Sequence, residues 1–128
     1  TDMSDHYVKH AEKRLSSFWR MNFMQAAGED LPFQDNRFDA VFSVFLFHEL
    51  PLEARKKVLV EANRVLKKGG FFGFVDSLQK IERFPVDFHE PFYRNYSEHD
   101  MESLMREAGF NKVKTGKGFF SKVCAAEK

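Results

Sequence analysis

Two copies of one tripeptide, Phe47-His48-Glu49 and Phe88-His89-Glu90, put an imidazole beside a carboxylate in a chain of 128 residues. At position 48 such a ring could orient a substrate or accept its proton near neutral pH, and Glu49 could pair with it or cap the helix that follows. Zinc chemistry fails on spacing, because a His-Glu-x-x-His pattern needs histidine where Leu52 and Tyr93 stand. One cysteine, Cys124, excludes a multi-cysteine metal site and an internal disulfide framework, so no metal is expected. Gly116-Lys117-Gly118 is no phosphate loop: such a loop opens a helix, and a β-like stretch follows here.

The elements that must position these residues show in the periodicity. Ser4 suits a helix N-cap, and Val8, Ala11, Leu15 and Phe18 recur as one apolar stripe. Phe23–Ala27 reads as a short strand and Gly28–Arg37 as a loop. Phe38–Phe47 is apolar on both parities, which predicts a strand covered on both faces. Pro51 opens a second helix whose core face is Ala54, Val58, Leu59, Ala62, Val65 and Leu66, with Gly69 as its left-handed cap. Phe71–Val75 is a buried strand ending in Asp76. Ser97 caps a third helix with Asp100 three residues on, and Gly109 ends it. Strands near Phe110–Thr115 and Phe119–Ala125 close the chain as a hairpin about Gly116-Lys117-Gly118. Alternating strands and helices predict a single α/β domain over residues 1–128, mostly parallel, with helices on both faces and one antiparallel strand.

In an open α/β sheet, ligands sit beyond the carboxyl ends of the strands. That rule nominates Ala27–Asp30, Phe47–Leu50 and Asp76–Gln79. The long connection after it, Phe88–Tyr96, carries His89, Tyr93 and Tyr96 among other aromatics, which could wall a substrate pocket or cover the sheet edge. A net charge of +1 offers no electrostatic case for nucleic acid or a membrane surface, and no apolar run approaches the roughly 20 residues needed to span a bilayer.

The succession Glu29-Asp30-Leu31-Pro32-Phe33, Phe38-Asp39-Ala40-Val41, Phe47-His48-Glu49-Leu50-Pro51 and Arg64-Val65-Leu66-Lys67-Lys68-Gly69-Gly70 resembles the class I S-adenosylmethionine-dependent methyltransferases. Phe88–Tyr93, Tyr96, Ala108-Gly109-Phe110 and Ser121-Lys122-Val123 continue the likeness. The resemblance implies a Rossmann-like sheet with S-adenosylmethionine as cofactor. It implies that Asp2 accepts hydrogen bonds from the ribose hydroxyls and that Met3 packs on adenine. Gly28 and Glu29 would read the base, since Ala27 stands where the family usually has an Asp, and Phe45 would join the cofactor site. His48 would stand near the reactive methyl, with His89, Tyr93 and Tyr96 on the substrate side.

The family's glycine-rich loop has no counterpart in this sequence, so the expectation is the C-terminal part of such a domain, weak or inactive alone. Its first strand is also lacking, which would separate the Phe23 strand from the Phe38 strand and leave an edge open to self-association. The expected activity is methyl transfer to a small molecule in a cytoplasmic setting. The alternative is a non-catalytic interaction or dimerisation module derived from a methyltransferase.

Overall fold

Hydrophobic runs of helical and strand period alternate along the chain, and the elements follow that order. The computed structural model describes residues 1–77, 92, 96, 100–118 and 121–128. Helix α1 spans Asp5–Arg14, strand β1 Phe38–Val44, helix α2 Leu52–Val65 and strand β2 Leu66–Ser77. Helix α3 spans Met101–Glu107, strand β3 Asn111–Lys117 and strand β4 Ser121–Glu127, and a 3-10 turn at Phe47–Glu49 joins β1 to α2. The sheet order is β1-β2-β4-β3. β1 runs parallel to β2, and β4 runs antiparallel to both of its neighbours. Three strands thus share a direction and one opposes them, as the crossovers and the closing hairpin predict.

One face of this sheet makes the core. Phe72 and Phe74 of β2, Val113 of β3 and Cys124 and Ala126 of β4 join Val58, Leu59 and Ala62 of α2 and Leu104 and Met105 of α3 in one buried cluster. Phe72 stacks on Phe110 with ring centroids 5.0 Å apart, and Phe47 meets Phe74 at 4.9 Å. Each buried phenylalanine contributes about 1.5–3 kcal/mol relative to an exposed one.

The other face corrects one expectation. Both faces of β1 were to be covered, yet Phe42 and Val44 are 69% and 64% exposed. Among the described residues, α2 and α3 share the core face, and α1 buries none of its residues. A run apolar on both parities records what a strand can bury, and here nothing described lies over Phe42. Its ring instead lies over Gly73, its register partner, where an added Cβ would come within 3.2 Å.

The Phe23–Ala27 strand reduces to one parallel bridge between Asp2 and Gln25. A ladder needs successive bridges, and this segment makes one; Phe23 and Met24 also line a slot of about 750 Å³ with Phe38, Ala40 and Val41. The separation of the Phe23 and Phe38 segments matches expectation. Gly69 has the expected left-handed φ of +74°, but α2 ends at Val65. The glycine sits instead in β2, where the register jumps from Phe38↔Leu66 to Ala40↔Phe71. It shapes a bulge rather than a helix cap. Asp100, not Ser97, is the N-cap of α3, accepting from the Glu102 amide at 3.0 Å; Ser97 lies outside the described residues. The hairpin turn falls two residues later than predicted, with the Gly118 amide donating to the Ser121 carbonyl.

An ionic clamp fixes the loop before β1 to α2. Arg64 donates to both carboxylate oxygens of Glu61, to Asp35 and to the carbonyls of Leu31 and Phe33, while Glu61 accepts from the Leu31 amide at 2.8 Å. The Arg64 hydrogen bond holds the Glu61 carboxyl below its ordinary 4.5. The folded state therefore binds this proton less readily than the unfolded one. The clamp's contribution is complete above that ordinary value and is lost as pH falls through the lowered one. Glu61→Gln should cost about 1–2 kcal/mol at neutral pH and flatten the acid limb of stability, as urea midpoints between neutral and acidic pH would show.

Candidate active site

β1 and β2 end side by side, and their carboxyl ends position the polar groups. Past Val44 the chain turns sharply: Phe45 has φ +51° and donates its amide to the Val75 carbonyl at 2.8 Å. A bulky residue in the left-handed region is strained by about 1–3 kcal/mol, and such strain collects at functional sites. The turn leaves the Phe45 ring half exposed and sends Phe47 and His48 inward, where both are buried.

Asp76, at the end of β2, is the anchor. Its side chain is fully buried, with Oδ2 accepting from the Phe47 amide and Oδ1 from the Ser77 amide, each at 2.8 Å. Oδ1 also meets His48 Nδ1. With the carboxylate as acceptor the ring carries a proton on Nδ1, and in the neutral ring Nε2 is then the acceptor nitrogen. Nε2 lies 3.9 Å from Glu49 Oε1, a pairing open only to the protonated ring, while Asp76 holds the other nitrogen.

Behind this pair stands Arg55, wholly buried on the first turn of α2. Its Nε donates to the Phe47 carbonyl at 2.8 Å and Nη2 to the Phe92 carbonyl at 2.9 Å. Its guanidinium lies 5.1 Å from the Tyr96 ring centroid. Burial pulls its pKa below the ordinary arginine value, opposed by Tyr96 and Asp76. Tyr96 is buried, with its ring edge-on to His48 at 6.5 Å, and Phe45 stands edge-on from the other side at 6.4 Å. His48 is thus walled by two aromatics, tethered by a carboxylate and backed by an arginine.

The remaining cofactor-side candidates line the neighbouring segment. Asp2 pairs with Met24 and Ala26 through its backbone, and its Oδ1 accepts from the Ser4 amide at 2.7 Å. Gln25 Nε2 donates to the Met3 carbonyl, and the Met3 side chain is exposed. Gly28 lies where an added Cβ would meet Val58 at 3.2 Å and Leu46 at 3.8 Å, so this segment touches the turn that carries His48. Glu29, beside it, is half-buried. Asp2 and Met3 are thus tied to the segment around Gln25, and Gly28 is tied to the turn that carries Phe45 and His48. His89 and Tyr93 lie outside the described residues. Among the described residues no group of three or more His, Cys, Asp or Glu side chains could hold a metal ion.

Sequence reasoning reached Asp76 only as a strand end and missed Arg55. The signal for Arg55 was its spacing: 55, 59 and 62 fall on one helical face.

The sequence pattern of the methyltransferase domain matches residues 1–74. An uncharacterized protein of Methanocaldococcus jannaschii is 31% identical over 99% of this chain and 62% of its own length. A ubiquinone/menaquinone biosynthesis C-methyltransferase of Rickettsia felis is 34% identical over 73% of this chain and 38% of its own length. The chain thus spans less than two thirds of either relative. Among solved structures, a SAM-dependent methyltransferase of Thermotoga maritima superposes with a TM-score of 0.68 at 25% identity, over 98% of this chain and 71% of that one. The chain belongs to the methyltransferase-domain family.

Proposed function

We propose that the protein acts in S-adenosylmethionine-dependent methyl transfer to a small-molecule acceptor. The observation that carries this reading is His48, held on buried Asp76 at the ends of β1 and β2 with the Phe45 ring beside it. The residues present fit the adenosine part of the cofactor: Asp2 offers an exposed carboxylate able to accept from two hydroxyls, and Met3 an exposed apolar side chain. When bound, S-adenosylmethionine supplies an electrophilic sulfonium methyl.

The protein's own part is orientation and proton holding. Asp2 fixes the ribose, Gly28 and Glu29 read the adenine, and Phe45 closes the side toward the reacting centre. His48, with its proton held on Nδ1 by Asp76, accepts at Nε2 the proton an O–H, N–H or C–H acceptor gives up. Neutral imidazole is the working form, since protonation of Nε2 would remove the acceptor. His89, Tyr93 and Tyr96 belong to the acceptor side in this reading. One buried cysteine suits the reducing cytoplasmic setting proposed with it. Among the described residues no helix is long and apolar enough to cross a membrane.

The bare apolar face around Phe42, Val44, Phe71 and Val123 favours a second reading, a self-associating module without cofactor. Thermal unfolding with S-adenosylhomocysteine separates the two. A ligand at about a hundredfold its dissociation constant should stabilise the folded chain by about 2.7 kcal/mol, and Asp2→Ala should abolish the gain. A cooperatively folded chain with no ligand-induced shift would leave the module reading in its place.

A further inference from the structure

Past the end of α1 the chain makes two successive turns, with the Phe18 amide donating to the Leu15 carbonyl and the Met21 amide to the Phe18 carbonyl. They form a knuckle that holds its apolar side chains outward. Trp19 is 83% exposed, Phe18 55% and Met21 49%. Phe18 continues the Val8, Ala11 and Leu15 spacing of α1, which predicts an inward position. Like the rest of α1's face, it is not buried.

The charge around the knuckle is one-sided. Between Asp5 and Glu29 the only acid is Glu12, against Lys9, Lys13, Arg14 and Arg20. Lys9 is paired with Asp5 at 2.6 Å, which leaves Lys13, Arg14 and Arg20 beside the apolar tip. The Arg20 guanidinium lies 4.8 Å from the Trp19 ring centroid. The whole-chain charge of +1 averages this local excess away.

We infer that this knuckle docks the protein on an anionic lipid surface. An exposed tryptophan flanked by phenylalanine and methionine suits the headgroup–acyl boundary, where an amphipathic ring has one wet and one apolar side. Lysine and arginine at the same depth meet the negative headgroups, and their long stems keep the charge in water while the rings insert. Insertion is shallow and reversible, because three side chains and a basic collar are far less than a spanning helix supplies.

Trp19 is the only tryptophan in the chain, so its emission reports directly on the knuckle. The test titrates the full chain with vesicles of phosphatidylcholine and phosphatidylserine, against phosphatidylcholine alone, with brominated lipid as quencher. The expected result is a blue shift and bromine quenching with the anionic vesicles only, weakened by high salt. Phe18→Ser should weaken partitioning roughly tenfold, the equivalent of losing one buried aromatic. Paired Arg14→Glu and Arg20→Glu should abolish it. These side chains are exposed, so circular dichroism of the variants should match that of the parent. No shift with anionic vesicles would overturn the inference. So would an equal response to neutral vesicles, or a blue shift that grows with protein concentration without lipid, which would mark a second copy as the occupant.

Discussion

Replacing Arg55 by leucine should lower the stability of the folded chain by about 2–6 kcal/mol, the cost of leaving two buried carbonyls without their donors at about 1–3 kcal/mol each. That is a large share of the roughly 5–15 kcal/mol available to a domain. The leucine stem fills part of the space but leaves the Phe47 and Phe92 carbonyls, which now accept at 2.8 and 2.9 Å, without these donors. It also takes the compensating cation away from buried Asp76. Arg55→Lys separates charge from shape. An ammonium keeps the positive charge but not the planar fork that serves two carbonyls while lying against Tyr96. Its expected loss is about 1–2 kcal/mol, one hydrogen bond to a buried acceptor. Urea midpoints should rank the parent above lysine and lysine above leucine. A leucine variant within about 0.5 kcal/mol of the parent, the usual range for an inconsequential surface change, would show that the guanidinium contributes nothing beyond its carbon stem.

Arg55 also shows where sequence reading loses information. A charged residue on an amphipathic helix is assigned to water by default, because a lone buried arginine is rare. Here its partners come from three distant places, the Phe47 turn, Phe92 and Tyr96, and no local pattern announces them. Elements whose burial is decided locally were legible: Val58, Leu59, Ala62 and Val65 form the face of α2 as their spacing predicts. Phe72 and Phe74 are core, as a continuous apolar strand implies. β1 was legible as a strand and not in its environment, since periodicity tells which faces can be buried but not whether a layer covers them. Phe42 and Val44 meet none among the described residues. Gly69 was legible in its backbone conformation and not in its use, because a left-handed glycine serves a helix end and a β-bulge equally well.

At the candidate site the strand-end rule nominated the edge, and the resemblance proposed roles for Asp2, Gly28 and His48. Neither gave Asp76 its role. A carboxylate closing a buried strand looks like the start of a loop until its register shows it beside the turn that follows β1. The pairing of Val44 with Val75 brings Asp76 under Phe47 and His48.

Asp76→Asn puts that assignment to its hardest test. The carboxylate accepts from the Phe47 and Ser77 amides and from His48 Nδ1, so all of its described contacts call for an acceptor. Asparagine brings one oxygen and one NH2 group. If the oxygen serves Ser77 and His48, the NH2 opposes the Phe47 amide, donor against donor. If it serves Phe47, the NH2 faces Ser77 and the imidazole, and the ring can answer only by moving its proton from Nδ1 to Nε2. Either orientation leaves a buried amide unpaired, at about 1–3 kcal/mol. The second also turns Nε2 from an acceptor into a donor, ending its use as a base. Nitrogen NMR of the His48 ring distinguishes the tautomers without substrate. The expected parent spectrum has the proton on Nδ1, and the variant should show a lower urea midpoint, with the proton on Nδ1 in the first orientation and on Nε2 in the second. An Nε2 proton in the parent would mean that Asp76 does not set the tautomer. The acid–base reading of His48 would then lose its structural support.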